Sequence, residues 1–415
     1  SNLISIADVD AGSSNMQVTI SVSHGALTLS GTTGLSFTSG DGTADATMTF
    51  TGTASAINTA LAGLVYAPTA NYNGSDTLTI LTSDQGNTGS GGAKTDSDTV
   101  AITVNAVNDA PVNTVPAAQS VNEDNTLVFS SGNSNLISIA DVDAASSSVR
   151  VTLTVSNGTL TLSGTSGLSF TTGDGTADAT MTFSGTVSAI NTALAGMGYS
   201  PTANYNGSDT LTILTSDLGN TGSGGTLTDS DTVAITVNAV NDAPVNSVPT
   251  AQTTNEDTNL TFSSGNSNLI SIADVDAASS NMQVTISVSN GTLTLSGTTG
   301  LSFTTGDGST DSTMTFTGTV SAINTALAGL VYAPTANYSG SDTLTIVTSD
   351  QGNTGSGGTK TDTDTVAITV TAVNDAPVNT VPAAQSVNED SSLTFSSGNS
   401  NLISIADVDA GSSNM

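Results

Sequence analysis

The sequence predicts an all-β protein, a tandem array of β-sandwich domains with one domain per period of 133 residues and one short helix in each. The period is visible in the string SNLISIADVDA, which starts at Ser1, Ser134, Ser267 and Ser400. A fixed internal period of this kind indicates a repeat architecture. Within each period, Thr alternates with apolar residues as in half-buried strands, and turn residues such as Gly, Asn and Asp separate these runs.

A recurring linker sets the predicted domain boundaries. The string Asn-Asp-Ala-Pro begins at Asn108, Asn241 and Asn374, and the residue before a proline is restricted to extended geometry. We therefore divide the chain into a partial first repeat without its first strands (1–110), a complete second repeat (111–243), a complete third repeat (244–376) and a terminal segment with only the N-terminal portion of a repeat (377–415). The chain opens and closes on the same string, so we expect it to be a window on a longer array.

The strands of the second repeat are predicted from its two-residue alternation. The runs are Val149–Ser156, Thr159–Ser163, Thr180–Phe183, Thr210–Thr215 and Thr232–Val237. Asn157-Gly158 separates the first two runs, and this dipeptide favours a tight hairpin whose central residues both have positive φ. We therefore expect antiparallel strands joined there by a two-residue turn.

One segment of each repeat shows helical spacing instead. In the second repeat, Val187, Ile190, Leu194 and Met197 recur at intervals of three and four. Thr186 stands in the position of an N-cap, and Gly196 lies near the expected end. We expect a helix of about ten residues whose apolar side packs on the core. The following polar stretch, 220–225, contains no apolar residue and is predicted to be a mobile surface loop before the last strand.

The composition excludes several classes of function. Three Lys and Arg stand against 35 Asp and Glu, for a net charge of −32, whereas a nucleic-acid partner requires a basic surface. The expected partners are cations. There is no Cys, so no disulfide framework is predicted. No run of 18 apolar residues is present, so no membrane insertion is expected in this segment.

Carboxylates and amides gather near the linkers. Asn241-Asp242 lies between the acidic string at Glu123-Asp124 and the pair Asp274 and Asp276. Calcium takes six to eight oxygen ligands and favours such clusters. Asp in Gly-rich strings is often only a turn residue that bonds nearby backbone amides, and we expect that role for three other positions in the second repeat, Asp174, Asp229 and Asp231.

Several motifs together carry a family resemblance. ADVDA (Asp141, Asp143), LTSDLG (Asp217), AVNDAPV (Asn241, Asp242) and VNED (Glu123) stand in the order of the cadherin motifs. The sequence resembles the cadherin-like tandem repeats of giant bacterial surface proteins, which also show NYNGSDTLTI and TDSDTVAITV. The resemblance implies immunoglobulin- or cadherin-like β-sandwiches in an extended rod, Ca²⁺ at each junction between repeats, and an extracellular or cell-surface location.

The resemblance also implies ligands for each junction. At the first junction these are Asn108, Asp109, Asp141, Asp143 and Asp217; at the second, Glu123, Asn241, Asp242, Asp274, Asp276 and Asp350; at the third, Glu256, Asn374, Asp375, Asp407 and Asp409. The cadherin Leu-Asp-Arg-Glu motif has no counterpart before Tyr205. We therefore expect one or two ions per junction, or else Asp209 in place of some of the lost carboxylates.

The sequence offers little for catalysis. The single His24 stands at a turn position that Asn157 and Asn290 occupy in the other repeats, so nucleophiles that need a His base are excluded. We predict a non-enzymatic extender of a giant adhesin, because identical domains add equal increments of reach. The alternative is a protomer of a multi-chain extracellular filament, sheath or matrix fibre. A sugar- or ice-binding face is disfavoured, because the few aromatic residues stand in strand patterns typical of the core.

Overall fold

The computed structural model describes residues 3–87, 89–220, 222–352 and 354–410. Strands dominate these residues, so the predicted all-β class with tandem sandwiches is confirmed. The chain divides into two compact units, one of Ser1–Ala203 with Ser208–Val237 and the other of Asn204–Gly207 with Asn238–Met415. The repeat boundaries at the linkers remain a prediction.

The first repeat forms one large and one small sheet. Its elements are β1 (Asn15–Ser21), β2 (Gly25–Thr28), β3 (Ser36–Ser39), β4 (Thr47–Thr53), α1 (Ala54–Leu61), β5 (Val65–Pro68), β6 (Gly74–Ser83) and β7 (Thr95–Val104). The large sheet has the order β3-β4-β1-β6-β7, and β2 pairs with β5. The strand β7 is therefore an edge strand in this repeat.

The second repeat adds strands that the first repeat does not have. Its elements are β8 (Val112–Thr114), β9 (Gln119–Asn122), β10 (Leu127–Phe129), a 3-10 turn (Ser131–Asn133), β11 (Ser138–Ala140), β12 (Ser148–Thr154), β13 (Gly158–Thr161), β14 (Ser169–Thr172), β15 (Thr180–Thr186), α2 (Val187–Leu194), β16 (Met197–Pro201), β17 (Gly207–Ser216) and β18 (Thr228–Asn238). The large sheet has the order β14-β15-β12-β17-β18-β9 and faces a smaller sheet, β10-β16-β13. A further pair, β8 and β11, completes the repeat.

The third repeat has the same plan. Its elements are β19 (Val245–Ser247), β20 (Gln252–Asn255), β21 (Leu260–Phe262), a 3-10 turn (Ser264–Asn266), β22 (Ser271–Ala273), β23 (Asn281–Ser287), β24 (Gly291–Thr294), β25 (Ser302–Thr305), β26 (Thr313–Thr319), α3 (Val320–Leu327), β27 (Leu330–Pro334), β28 (Gly340–Ser349) and β29 (Thr361–Thr371). The strand β20 pairs with β29 in parallel. The terminal segment contains β30 (Val378–Thr380), a 3-10 turn (Ser397–Asn399) and β31 (Ser404–Ala406), and β30 pairs with β31.

The alternation of Thr with apolar residues produces the core, because successive side chains of a strand point to opposite faces. In β23, Val284 and Ile286 are fully buried, whereas Thr285 between them points outward and its hydroxyl lies 2.9 Å from that of Thr315 in the neighbouring strand. Aromatic residues fill the centre of the sandwich, including Phe316. The prediction that the aromatic residues of the second repeat lie in the core is confirmed for Phe183 and Tyr199, whereas Phe170 and Tyr205 are only half-buried.

The helix α2 begins where its cap predicts. The Thr186 hydroxyl accepts a hydrogen bond from the backbone N–H of Ala189, and Ile190 and Leu194 are buried. The Asn191 side chain bonds both the N–H and the C=O of Ile139 at 2.8 Å, so it fixes the helix to β11. The helix is shorter than predicted, because it ends at Leu194 and Met197 belongs to β16.

The predicted hairpin at Asn157-Gly158 is wrong. The strand β12 pairs with β15 and β17, whereas β13 pairs with β16, so the chain crosses there from one sheet to the other. Neither residue has the positive φ that the hairpin requires. The glycine is needed for a different reason, because a Cβ on Gly158 would lie 2.5 Å from the carbonyl oxygen of Ser200 and 2.7 Å from the Tyr199 ring.

A buried carboxylate holds this crossover in place. Asp209 is 4% exposed and accepts hydrogen bonds from the backbone N–H groups of Ser156 and Asn157 at 3.0 and 2.9 Å and from the Tyr199 hydroxyl at 2.8 Å. Burial alone would raise the pKa of Asp209, but these donors outweigh burial and lower it. Asp209 therefore stabilises its own domain, and its oxygens are occupied there.

Candidate functional site

The linker contacts the Asp-x-Asp pair of the following repeat. At the first junction, the backbone N–H of Asp109 donates to Asp143 Oδ2 at 3.0 Å. After β11 the chain bends, because Asp141 Oδ1 accepts from the N–H groups of Asp143 and Ala144 at 3.1 and 2.9 Å. This short turn brings the Asp143 carboxylate to the linker and places the Asp141 carboxylate beside it.

The same arrangement recurs at the other two linkers. At the second junction, the N–H of Asp242 donates to Asp276 Oδ2 at 2.5 Å, and the N–H of Asp276 donates to Asp274 Oδ1 at 2.8 Å. At the third, the N–H of Asp375 donates to Asp409. The linker and the Asp-x-Asp pair, which the sequence predicts to share a site, are therefore in contact at each junction.

The third junction also brings in the early Glu of its repeat. Glu256 is 5% exposed, and its Oε1 accepts from the backbone N–H of Val373 at 2.6 Å, directly before the linker. Burial raises the pKa of Asp375, and the negative charges of Asp409, Asp257, Glu256 and Asp407 raise it further. Several carboxylates thus lie close enough to repel one another.

Buried oxygens at the junctions lack hydrogen-bond donors. Among the described residues these include Asp141 Oδ2, Asn241 Oδ1, Asp274 Oδ2 and Asp375 Oδ2. A buried polar atom without a partner costs about 1–3 kcal/mol, so native proteins usually satisfy it. Burial is also the first cause of the raised pKa of Asp141 and Asp274, with the neighbouring Asp143 and Asp276 adding to it. These oxygens have the chemistry of ligands for a hard cation.

The junction side chains do not form a closed metal centre. Within the part of the chain that the structure describes, no group of three or more His, Cys, Asp or Glu side chains is arranged to hold a metal ion. The oxygen donors therefore fit calcium by their chemistry and by their missing partners, and their side chains must turn toward a common point to coordinate it.

Asp217 and Asp350, two further predicted ligands, have a different environment. Asp217 Oδ1 accepts from the N–H groups of Gly219 and Leu227 at 2.8 and 2.9 Å, and its Oδ2 accepts from the Asn108 side chain. Asp350 has the equivalent partners, including Asn241. Burial would raise the pKa of Asp350, but the Lys360 N–H and the Asn241 amide outweigh it and lower the pKa.

Other predicted ligands differ in burial. Asn108 and Asn241 are buried, as is Glu123. Asn374 is exposed, and its side chain donates to the carbonyl oxygen of Asp375 at 3.2 Å.

The described residues of the loop before the last strand, 222–225, are exposed as predicted, but the loop also bonds the linker. Thr221 lies outside the described residues, but the rest of the loop contacts the preceding linker. The N–H of Ser223 donates to Ala106 O at 3.0 Å, and the N–H of Asn108 donates to Ser223 O at 2.9 Å. Sequence reasoning missed this contact because the loop contains no apolar residue, and its only signal was the number of glycines.

Of the three Asp residues that the sequence predicts in turns, only one lies in a turn. Asp178 Oδ2 accepts from the N–H groups of Asp174 and Gly175 at 2.9 and 2.8 Å, so the GDG string is a turn as predicted. Asp229 and Asp231 are not turn residues, because both lie within β18. The Asp229 carboxylate instead accepts from the N–H of Asn113 in β8 at 2.6 Å.

Comparison with solved structures finds tandem cadherin and immunoglobulin domains. The chain is similar to human CDH23 EC21-23 at 12% identity over 88% of this chain and 92% of that one, with a TM-score of 0.33. It is similar to protocadherin gamma B2 extracellular cadherin domains 1-5 at 14% identity and a TM-score of 0.29. That match covers 85% of this chain, which spans 54% of the protocadherin chain. Titin domains I67-I69 match at 10% identity over 87% of this chain and 93% of that one, with a TM-score of 0.22.

Other comparisons give no match. No protein-family model matches the chain, and no curated protein does. None of the helices in the described ranges has the length and apolar character needed to cross a bilayer.

Proposed function

We propose that this chain is a calcium-stabilised, non-enzymatic repeat region of a giant extracellular or cell-surface protein of bacterial type. In this role the repeats act as an extender, and calcium ions and neighbouring repeats are the partners. The single observation that carries the proposal is the set of buried junction oxygens without donors, at Asp141, Asn241, Asp274 and Asp375.

Calcium would offset the repulsion between the carboxylates that gather at each junction. At the third linker, burial raises the pKa of Asp375, and repulsion from the neighbouring carboxylates raises it further. A divalent cation removes that repulsion and supplies the missing partner for each buried oxygen. The residues that would hold it are the linker Asp, the Asp-x-Asp pair and the early Glu, together with the linker Asn. In this chain these residues orient each other through the linker N–H bonds.

A contact that recurs between successive repeats of the chain supports the extender role. The bond from the linker Asp N–H to the second Asp of the Asp-x-Asp pair recurs at all three linkers. Repeating the same contact adds the same unit of length each time.

A charge-matched pair of variants tests the proposal. Changing Asp274 and Asp276 together to Asn removes two charges from the second junction, so we expect the calcium stoichiometry of the full chain to fall by the share of one junction, or its affinity there to fall at least tenfold. The control changes Asp307 and Asp311 to Asn. It removes two charges from the same repeat, at a turn where the Asp311 carboxylate bonds the N–H groups of Asp307 and Gly308.

Isothermal titration calorimetry measures both effects. The control is expected to bind calcium as the unmodified chain does. Equal losses from the two variants would show that calcium responds only to net charge, and an unchanged titration of the Asp274/Asp276 variant would reject these ligands.

A further inference from the structure

The linker of each complete junction is bonded to the glycine-rich loop of the following repeat. At the first junction, Val107 and Ser223 form a parallel bridge, with the two backbone hydrogen bonds of 3.0 and 2.9 Å that join Ala106, Ser223 and Asn108. The Asn108 side chain adds a bond to Gly225 O at 2.9 Å and one to Asp217. Backbone and side chain of the linker are therefore both held.

The second junction repeats these contacts with different residues. The N–H of Ser356 donates to Ala239 O at 3.0 Å, and the N–H of Asn241 donates to Ser356 O at 2.8 Å. The Asn241 side chain donates to Gly358 O at 2.9 Å and to Asp350. Asn108 is 5% exposed and Asn241 is fully buried, so each Asn is enclosed by these partners.

The loop can approach so closely only because it contains glycine. A Cβ on Gly222 would lie 2.6 Å from Val107 C and 2.7 Å from Asn108 N. A Cβ on Gly355 would lie 2.5 Å from Asn241 N and 2.6 Å from Val240 C. Any side chain at these two positions would push the linker backbone away.

We infer that this loop is a docking surface for the linker of the preceding repeat, and that the contact fixes the junction without a metal ion. In the second repeat the surface consists of Asp217 and Gly222–Gly225, and in the third it consists of Asp350 and Gly355–Gly358. Its partner is the backbone of the Ala-Val-Asn segment, recognised by two backbone bonds and by the Asn side chain. None of these bonds requires calcium, so the contact can be tested in chelator, although the linker Asn belongs both to this contact and to the proposed calcium site.

The first repeat supplies a matched control position. Its loop has the same sequence, NTGSGG, at 87–92. Gly89 has φ of 79°, close to 70° at Gly222 and 72° at Gly355. Alanine is therefore strained to a similar degree at all three positions. A Cβ on Gly89 meets no described atom within 4 Å, so only the docking contact differs.

Hydrogen exchange of the full chain in chelator tests the inference. The amide of Asn108 is expected to be protected in the unmodified chain and to exchange at least tenfold faster in Gly222→Ala, while Asn241 stays protected. Gly355→Ala is expected to give the reverse pattern, and Gly89→Ala is expected to change neither amide.

Each contrary result identifies its own cause. Unprotected Asn108 and Asn241 amides in the unmodified chain would overturn the inference, because the contact would then need calcium. Deprotection of both amides by any one variant would mean general destabilisation, and a Gly222→Ala variant with unchanged exchange would mean that the loop does not hold the linker. None of these results depends on where calcium binds.

Discussion

The last strands of the first and second repeats have the same sequence but different environments. TDSDTVAITV occupies both Thr95–Val104 and 228–237. Val100 is 45% exposed in the first repeat, whereas Val233 is 1% exposed in the second. The difference lies in the neighbours, since β9 lies beside β18 and no described strand lies on the outer side of β7.

The comparison shows that the segment after each linker completes the sandwich. In the third repeat, β20 pairs with β29, and β19 contacts both β28 and β29. The glycine-rich loops show the same dependence on context, because Gly222 lies against a linker, whereas a Cβ on Gly89 would meet no described atom within 4 Å. The last strand of a complete repeat is therefore covered by the strands that follow the linker in the same repeat, whereas the glycine-rich loop is covered by the linker of the preceding repeat.

The largest effect is expected when Val is replaced by Asp at the equivalent positions of the two last strands. Val233→Asp places a charge without a partner in the core and is expected to cost about 3–5 kcal/mol of the free energy of unfolding. Val100→Asp replaces a half-exposed side chain at an edge strand and is expected to change stability by no more than about 0.5 kcal/mol. Denaturant unfolding of the full chain measures both. Equal losses would mean that the first repeat buries this strand in solution.

Each of the two repeats has a buried carboxylate at the equivalent position, Asp76 in the first and Asp209 in the second. Replacing it is expected to have a smaller effect. Burial would raise the pKa of Asp76, but the N–H groups of Ser23 and His24 and the Tyr66 hydroxyl outweigh burial and lower it to about 2. Asp209 is shifted in the same direction. A carboxyl group whose pKa is lower in the folded state stabilises the fold above its unfolded pKa of about 3.9, and this contribution disappears as the pH falls through the folded pKa.

Acid unfolding of matched variants measures this contribution. Both repeats are expected to lose stability as the pH falls from about 4 to 2, because the unfolded pKa is about 3.9 and that of Asp76 is about 2. Asp209→Asn is expected to lower stability at neutral pH and to flatten the acid dependence of the second repeat, and Asp76→Asn should do the same for the first. Unchanged acid profiles would show that the carboxylate does not hold the crossover between sheets.

The sequence predicts the elements that depend on local signals. The N-cap Thr186 places the start of α2, and the alternation of Thr with apolar residues identifies both faces of the strands. The hairpin at Asn157-Gly158 fails because the dipeptide is a local signal, whereas the distant Asp209 and Tyr199 determine the path of the chain there. Which strand pairs with which is a tertiary property that alternation does not contain.

The candidate site is predictable only in part for the same reason. Motif order brings the linker together with the Asp-x-Asp pair, and the structure places them in contact at Asp109 and Asp143. The motifs assign Asp217 and Asn108 to the same junction, but they do not reveal that the two side chains bond each other, or that a polar loop bonds the linker. The loop and the linker are more than one hundred positions apart, and the loop carries no pattern that pairs it with the linker.

The most direct test of the central claim is thermal unfolding of the full chain with calcium and with chelator at the same ionic strength. At a hundredfold excess over Kd, a ligand that binds only the folded state adds about 2.7 kcal/mol per site to the free energy of unfolding. We therefore expect a clear rise of the melting temperature in calcium, reversed by chelator and absent in the Asp274/Asp276 variant for the transition of its junction. Melting curves that coincide with and without calcium would contradict a calcium-stabilised array.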